Sequence, residues 1–378
     1  ENRRLHPRRT FEALLDGAPS VPSAAPPTRT SRLFEPTGFA VLRSNRPPAD
    51  QIQVIVKAGG DGDAHGHADQ LAIQLFGRVR RLALDPGTPG YGISLNDTWY
   101  RQTASHSTVL LDSRSQPPVA ARIHGVDARG GWSATSADVT WPGPPSWPAT
   151  VERARACGWT DGASEAYVDV RMRRWLVLTD DYLIDAFAVD APQPRTIDWL
   201  LHERGRFEGR TEPAPGVLSG RCGYDELRDV RRIRDVGSER SEGPERAERA
   251  GRTDRSEWAE RADLPPSSPV SSPPSLPLTW TLDGSRVDLW LAPGEEARFL
   301  ASAPGNPAAD RHDLLIRRRT VQHTLFAAVI ALAGQSGQRA SVSLVTWEPI
   351  LDGWAVAVKV GPDRQCWSID DEGIAPAD

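Results

Sequence analysis

Short runs of alternating apolar residues, separated by turn residues, dominate the sequence from residue 39 onward. Examples are FAVLRS, IQVIVKAG, VDVRMRRWLVLTDDYLIDAFAVD and RASVSLVTWEPI. Alternation of period two, rich in valine and isoleucine, is typical of strands that bury one face. No ten-residue helical periodicity recurs between these runs, which excludes alternating βαβ units, and the internal repeats of propellers and solenoids are also missing. The sequence therefore predicts an all-β fold, a large antiparallel β-sandwich.

Two segments interrupt this rhythm and divide the chain. Residues 1–36 contain a short helical pattern and then the proline-rich VPSAAPPTRT, which we interpret as an arm and linker from an upstream domain. Residues 225–275 are highly charged and then proline- and serine-rich, with few apolar residues, which predicts a disordered low-complexity insertion. We therefore assign residues 37–224 and 276–378 to one β-sandwich.

The composition excludes some functions. A formal net charge of −5 over 378 residues argues against a nucleic-acid surface, and no run is long and apolar enough to span a membrane. Three cysteines are too few for a disulfide framework or a cysteine zinc site. Lysine occurs only at Lys57 and Lys359, so arginine provides nearly all of the basic charge. The RRR run in LLIRRRTVQHTLFAAVI fits either a polyanion patch or a solvated strand edge, of which we favour the edge.

Residues 59–116 contain most of the candidate chemistry. His65 and His67 follow a glycine-rich turn, Asp85 ends an apolar run before PGTPGYG, and Tyr100 and His106 precede the strand-like run TVLL. A sheet brings its strand ends together, and zinc prefers imidazole nitrogen and carboxylate oxygen. His67, Asp85 and His106 are therefore candidate metal ligands. The alternative is that these residues have only structural roles.

Two other families contain a similar histidine pair. HGHAD resembles the start of the HxHxDH motif of metallo-β-lactamase-like hydrolases, but Gln70 occupies the position of the last histidine. Amidohydrolases also use HxH, on a barrel of alternating strands and helices. The sequence shows the helical pattern of neither fold.

A third resemblance extends over nearly the whole block. HGHADQLAIQLFG, LALDPGTPGYG and WYRQTASHSTVLLDSRSQ resemble the signature block of the heparinase II/III-like polysaccharide lyases. That family includes heparin and heparan sulfate lyases, and oligoalginate lyases have a closely related block. FEPTGFAVLRS, TIDWLLHERG and DLLIRRRTVQHTLFAAVI resemble the family more weakly. Where many relatives have HNTV, this chain has HSTV, which keeps His106 but removes a neighbouring amide.

The resemblance implies an architecture and a set of roles. In these lyases a helical toroid precedes the sandwich, and the active cleft lies between the two. We expect the toroid, with the principal catalytic tyrosine, to lie upstream in cis and to be missing from this chain. The resemblance further implies a structural zinc held by His67, Asp85 and His106. It assigns catalytic and substrate-binding roles to His65 and Tyr100, the latter through a variable loop.

The implied reaction is β-elimination on an acidic, uronate-containing polysaccharide. The proton at C5 of a uronate is only weakly acidic while the carboxylate is charged, so cationic or hydrogen-bonding groups must neutralise that carboxylate. A base removes the proton and an acid protonates the leaving O4. The family also suggests a periplasmic or secreted protein. The alternative from another class is a non-catalytic carbohydrate-binding or scaffold module with a structural zinc site.

Overall fold

The computed structural model describes residues 30–60, 66–77, 80–90, 92–142, 163–219, 223–234, 276–333 and 342–377. Twenty-one strands occupy most of them. Their bounds are β1 Arg32–Phe34, β2 Phe39–Arg43, β3 Ile52–Lys57, β4 Ile73–Gly77, β5 Arg80–Ala83, β6 Val109–Leu111, β7 Arg122–Arg129, β8 Trp132–Trp141, β9 Val170–Thr179, β10 Tyr182–Glu203, β11 Arg206–Phe207, β12 Thr211–Pro213, β13 Arg228–Ile233, β14 Leu278–Leu282, β15 Ser285–Leu291, β16 Ala297–Ala303, β17 His312–Ala333, β18 Val342–Ile350, β19 Gly353–Val360, β20 Asp363–Asp370 and β21 Gly373–Ala377.

Helical segments are few and short in the described ranges. One α-helical turn, α1, spans Ala163–Tyr167, and a single π-helical turn spans Asn96–Tyr100. Turns of 3-10 type occupy Glu35–Thr37, Thr103–Ser105 and Tyr224–Glu226. No helix in these ranges is long and apolar enough to cross a membrane.

The antiparallel pair β10 and β17 forms the centre of the fold. Each strand has 22 residues, and the register runs from Tyr182 opposite Ala331 to Glu203 opposite Asp313. A register shift between Asp190 and Arg195 bends the pair. Because side chains alternate along a strand, the pair has two apolar faces, and each needs its own covering layer.

One face of this pair packs against strands of the same large sheet system. Seventeen strands are hydrogen-bonded into that system, and all the described pairings are antiparallel. Leu183 and Phe187 of β10 lie in one buried cluster with Leu42, Val54 and Ile73 from the N-terminal strands. The large sheet thus folds over this face.

The opposite face is covered by a separate four-stranded meander. Strands β18 to β21 pair in sequence order and form the small sheet. Val345 and Trp347 of the small sheet share a buried cluster with Ile184 of β10 and Val329 of β17. The predicted antiparallel β-sandwich is confirmed.

Two predicted segment boundaries require correction. Residues 228–233, placed by sequence in the disordered insertion, form β13, which pairs with β12 and β16 and buries Ile233. Residues 32–34, placed in the arm, form β1 against β2, with Leu33 packed on the core. Apolar residues hold these short charged strands on the core, Val230 and Ile233 in β13 and Leu33 in β1. The remaining predictions for the arm and the insertion fall on residues 1–29 and 235–275, outside the described residues.

The prediction of a solvated edge for the arginine run is wrong. Arg317 is fully buried, and its Nε donates to Oε1 of Glu296 at 2.9 Å. Arg318 binds both carboxylate oxygens of Asp198 at 2.7 Å, and Arg319 also binds Glu296. The run lies in the first half of β17, between β10 and β16, where the arginines are neutralised by buried carboxylates.

Candidate metal centre and its cavity

Five side chains with ligand or acid–base chemistry converge at the ends of strands β3, β5 and β6. They are Lys57, His67, Asp69, Asp85 and His106. Lys57 ends β3, Asp85 follows β5 by two residues, and His106 directly follows the 3-10 turn Thr103–Ser105. The sheet thereby joins residues that lie almost fifty positions apart.

The loop before β4 is held by buried polar contacts. The side chain of Gln70 donates to the carbonyl of Val119 at 2.7 Å, and the hydroxyl of Thr103 donates to the carbonyl of Ala68 at 2.6 Å. Gln70 itself is buried. Gln70, which replaces the last histidine of the HxHxDH motif, thus fixes the backbone beside His67, because hydrogen bonds made by a buried side-chain amide are costly to break.

The two described histidines of the block face each other. The rings of His67 and His106 have centroids 5.3 Å apart and are tilted by 48°. One ligand atom each from His67, Asp69 and His106 lie within 4.8 Å of one another. Asp85 places Oδ2 3.1 Å from Nδ1 of His106. Two imidazoles and the carboxylate of Asp69 therefore surround one small volume, and the carboxylate of Asp85 lies beside His106.

The two nitrogens of His106 have different surroundings. Nδ1 faces Asp85, so the neutral ring donates its Nδ1 proton to that carboxylate and keeps an unprotonated Nε2. Nε2 is buried and has no hydrogen-bond partner among the described residues. A buried nitrogen without a partner is rare, and a metal ion is one of the few groups that satisfies its lone pair. The residues present therefore fit a metal ion.

Charge and burial shift the pKa values of these groups in different directions. Burial lowers the pKa of His67 to about 4, assisted by the nearby charge of His106. Burial also acts to lower the pKa of His106, but the carboxylate of Asp85 outweighs it and the net pKa is raised. Burial opposes ionisation of Asp85, yet the charge and hydrogen bond of His106 hold its pKa below the usual range. At neutral pH, His67 is thus an uncharged potential ligand beside an ionised carboxylate.

Asp69 is a member of the cluster that sequence reasoning missed. It lies two residues after His67 and is 4 % exposed, and Lys57 forms an ion pair with its Oδ1. Two atoms that share a tetrahedral zinc at about 2.0–2.1 Å lie roughly 3.3 Å apart. The 3.1 Å between Asp85 and His106 therefore fits either shared coordination or a direct hydrogen bond. Asp85 as third ligand stays a prediction, and Asp69 is a second candidate.

A cavity opens beside the cluster. It has a volume of about 220 Å³, and Lys57, His67, Asp69 and Asp85 line it together with Phe39, Ile55, Ala72 and Gln74. The cavity combines a cation, two carboxylates and an imidazole on a partly apolar floor. Such a mixture can hold a polar group of a ligand next to the cluster.

The two residues with predicted catalytic roles have different outcomes. His65 lies outside the described residues. Tyr100 is fully buried, its hydroxyl donates to the carbonyl of Gly305, and burial raises its pKa. Beside it, Nε1 of Trp99 donates to the carbonyl of Pro304. Tyr100 does not line the cavity, so its cleft role stays a prediction without geometric support.

Behind the cluster lies a buried histidine pair that has no sequence motif. His202 Nε2 donates to the carbonyl of Ala104, and His202 Nδ1 lies 2.8 Å from Nε2 of His312. Burial lowers the pKa of both rings, that of His312 to about 4, so both are neutral. Ala104 belongs to the turn that precedes His106. The pair therefore fixes the backbone from which His106 projects. Only the position of His202 at a strand end hinted at this.

Solved structures of related architecture include two heparinase III structures and one heparan sulfate lyase. A heparinase III gene product has a TM-score of 0.56 at 15 % identity over 95 % of this chain. Heparan sulfate lyase HepC from Pedobacter heparinus has a TM-score of 0.53 at 12 % identity over 91 %. A further heparinase III structure has a TM-score of 0.54 at 13 % identity over 90 %. This chain covers 44 %, 43 % and 43 % of those chains, less than half of each.

Sequence comparison leads to one family. No curated protein matches the chain. The family model for the heparinase II/III-like C-terminal domain matches residues 26–288, which is well over half of the sequence and contains the whole histidine–aspartate cluster. The chain belongs to the heparinase II/III-like C-terminal domain family.

Proposed function

We propose that this chain is the β-sandwich part of a polysaccharide lyase that cleaves uronate-containing polysaccharide by β-elimination and that it forms one wall of the active cleft. The main supporting observation is the His67–Asp69–His106 group, with Asp85 at 3.1 Å from His106, open to a cavity at the strand ends. Membership of the family supports the reaction class.

The cluster suits a structural zinc. Its donors are nitrogen and carboxylate oxygen, and His67 is already neutral. Asp85 raises the pKa of His106, so a zinc ion at the partnerless Nε2 would have to displace a proton there. A bound zinc would supply fixed positive charge and tie the loop before β4 to the turn before β6. The residues themselves hold that geometry through the hydrogen bond of Asp85 to His106.

The cavity wall suits the recognition of a carboxylate. Lys57 is the cation of the cavity wall, but its ammonium group is paired with Asp69, and Asp85 lines the same cavity. A uronate carboxylate would therefore be held by Lys57 together with the positive charge that a bound zinc would add beside the two aspartates. As the C5 proton leaves, negative charge develops on the same carboxylate, so donors fixed beside it lower the barrier. By family resemblance, His65 adds a second neutralising group, and the proton-abstracting base belongs to the upstream helical domain.

The test compares two proteins. The chain alone is incubated with a panel of uronate polymers, and so is the chain joined to its natural upstream sequence. Only the longer protein should produce unsaturated uronate ends, detected by ultraviolet absorbance. If the longer protein binds these polymers but yields no unsaturated product from any of them, the lyase proposal is wrong.

The burial of Tyr100 favours a second candidate function. A core tyrosine with its hydroxyl bonded to Gly305 supplies no acid to a cleft. A non-catalytic carbohydrate-binding module with a structural zinc would need only the cluster and the cavity. That module would bind polymer equally well with or without the upstream sequence and would produce no unsaturated ends in either form.

A further inference from the structure

The small sheet presents a second surface, on the side away from the core. Val345 and Trp347 point into the core beneath it, so strand alternation places Leu344, Thr346 and Glu348 on the outer side of β18. This sheet lies after residue 288, beyond the region that the family model matches. None of the residues of the metal cluster belongs to it.

Two cations lie directly opposite each other on this surface. Lys359 of β19 is in register with Arg364 of β20, and both side chains are exposed. In the described part of the chain, neither forms an ion pair. Like charges directly opposite on neighbouring strands destabilise a sheet. An anion bound between them would replace that repulsion with two attractions.

The cation pair lies at one end of a cavity. The cavity has a volume of about 310 Å³ and is lined by Leu344, Thr346, Trp347, Glu348, Ala357, Lys359 and Arg364. This volume falls in the usual range for ligand sites. Glu348 is four residues from the Leu344–Lys359 row, roughly 13 Å along the strand. The charges of the cavity are therefore separated, cationic at one end and anionic at the other.

Trp347 contacts the cavity only from beneath. It is 2 % exposed, and its side chain belongs to the buried cluster on the core side of the small sheet. The side chains on the outer side therefore determine which ligand the cavity can take.

The pattern selects the chemistry of the ligand. Two cations favour anionic oxygens, and Thr346 and Glu348 further along the strand suit hydroxyl groups. The one aromatic ring in the lining is buried, so no exposed platform is present there for a nucleic-acid base. A saccharide with carboxylate or sulfate groups has both required features.

We propose that the outer face of the small sheet is an auxiliary binding site for an acidic saccharide chain, with its carboxylate or sulfate between Lys359 and Arg364. The nature of the saccharide rests on the proposed function, while the anion site itself rests on the cation pair and the cavity. The site would hold the polymer at a second point and so increase the local concentration of uronate near the cleft.

The test measures binding rather than turnover and uses the chain itself. Calorimetric titrations use an unsulfated oligouronate, its sulfated counterpart and a neutral oligosaccharide of the same length. Lys359→Gln/Arg364→Gln should weaken binding of the acidic probes roughly two- to thirtyfold, the sum of two exposed ion pairs. The control Arg129→Gln/Arg206→Gln removes the same charge at two other exposed positions and should leave binding unchanged.

Cys366 gives a local readout for the same site. It is a half-buried free cysteine, and its register partner Ala357 lines the cavity. The acidic probes should slow alkylation of Cys366, followed by peptide mass, in the wild type but not in the Lys359/Arg364 variant. Equal binding by wild type and variant, or equal binding of the neutral probe, would overturn the proposal.

The two proposals fail in distinguishable ways. His67→Ala should leave the protection of Cys366 intact, because the metal cluster is not part of this surface. If the longer protein has no lyase activity but Cys366 is still protected, the auxiliary site stands and the lyase proposal falls. If turnover is found and Cys366 is never protected, the lyase proposal stands and the auxiliary site falls.

Discussion

At the scale of single residues, the tautomer of His106 determines whether the cluster can accept a cation. Asp85 accepts the Nδ1 proton and so directs the Nε2 lone pair away from itself. Lys57 has the opposite influence, because its ammonium group already neutralises Asp69. Asp85 thus prepares His106 for a metal ion, whereas Lys57 competes with that ion for Asp69.

These opposite roles give a pair of zinc-affinity predictions. Asp85→Asn should weaken zinc binding at least 10- to 100-fold, because an amide no longer fixes the tautomer of His106, or because a ligand is lost. Lys57→Met should strengthen it roughly fivefold by freeing Asp69. Competition with a chromogenic chelator measures both affinities, and Lys359→Met serves as control, since it removes the other lysine. Weaker binding by Lys57→Met would contradict the competition.

At the scale of elements, the end of the β10–β17 pair contains an unusual contact. Glu203 is fully buried opposite Asp313, and neither of its carboxylate oxygens has a hydrogen-bond partner in the described ranges. Burial, with the charge of Asp313, raises the pKa of Glu203 to about 8. Nε1 of Trp280 donates to Asp313 at 3.1 Å, so Asp313 has a donor that Glu203 lacks.

The Glu203 contact predicts a loss of stability at alkaline pH. The pKa of Glu203 is about 8 in the folded protein, above the unfolded value of 4.5. The stability that protonated Glu203 contributes to the folded state is therefore fully present below pH 4.5 and is lost as the pH rises to about 8. Glu203→Gln should remove this loss and be more stable than wild type at pH 8 by on the order of 2–4 kcal/mol. Urea unfolding across this range measures it. The exposed control Glu35→Gln should follow wild type, and parallel profiles for Glu203→Gln and wild type would refute the assignment.

The same elements show what the sequence could predict. Alternation in β3 and in the first part of β9 identified strands, because burial of one face requires period two, whereas β10 is buried on both faces and shows no such alternation. The arginine run was misread, because its partners Glu296 and Asp198 are 21 or more residues away and no local pattern reveals them. A charged segment stays in solvent only if the fold places no opposite charges beside it. Which charges lie beside it depends on the pairing of strands that are distant in sequence.

The sequence also predicted some residues of the candidate site and not others. His67, Asp85 and His106 were identified by residue type and turn position, and the structure brings them together. Asp69 was not predicted as a ligand, although it follows His67 by two residues, just as His67 follows His65. Apart from the position of His202 at a strand end, nothing in the sequence indicates the buried His202–His312 pair, since the two residues lie 110 positions apart. Tyr100 was assigned through a variable loop, and the structure instead buries it in the core.

At the scale of the whole molecule, the cluster joins three parts of the large sheet. A ligand that binds only the folded state stabilises it by about 2.7 kcal/mol at a free concentration 100 times the dissociation constant. Zinc should therefore raise the melting temperature of the chain, and a chelator should reverse the rise. His67→Ala should abolish the effect and lower the zinc content in elemental analysis, while the exposed control His323→Ala should keep both. Equal zinc in His67→Ala and wild type would sink the metal assignment.

The proposed division of labour between this sandwich and an upstream helical domain leads to the last prediction. If the sandwich supplies charge neutralisation and the upstream domain supplies the base, a variant of the sandwich should impair the chemical step more than binding. In the chain joined to its upstream sequence, His65→Ala should lower kcat roughly 100-fold or more with a smaller change in KM, because the lost interaction strengthens as charge develops on the uronate. The control His124→Ala removes an exposed histidine bonded to Asp138 and should leave both constants unchanged. Initial rates of unsaturated-uronate formation over a range of substrate concentrations separate kcat from KM. Undiminished turnover by His65→Ala would leave the lyase class standing and transfer charge neutralisation to the cavity residues, of which Lys57 is the cationic one.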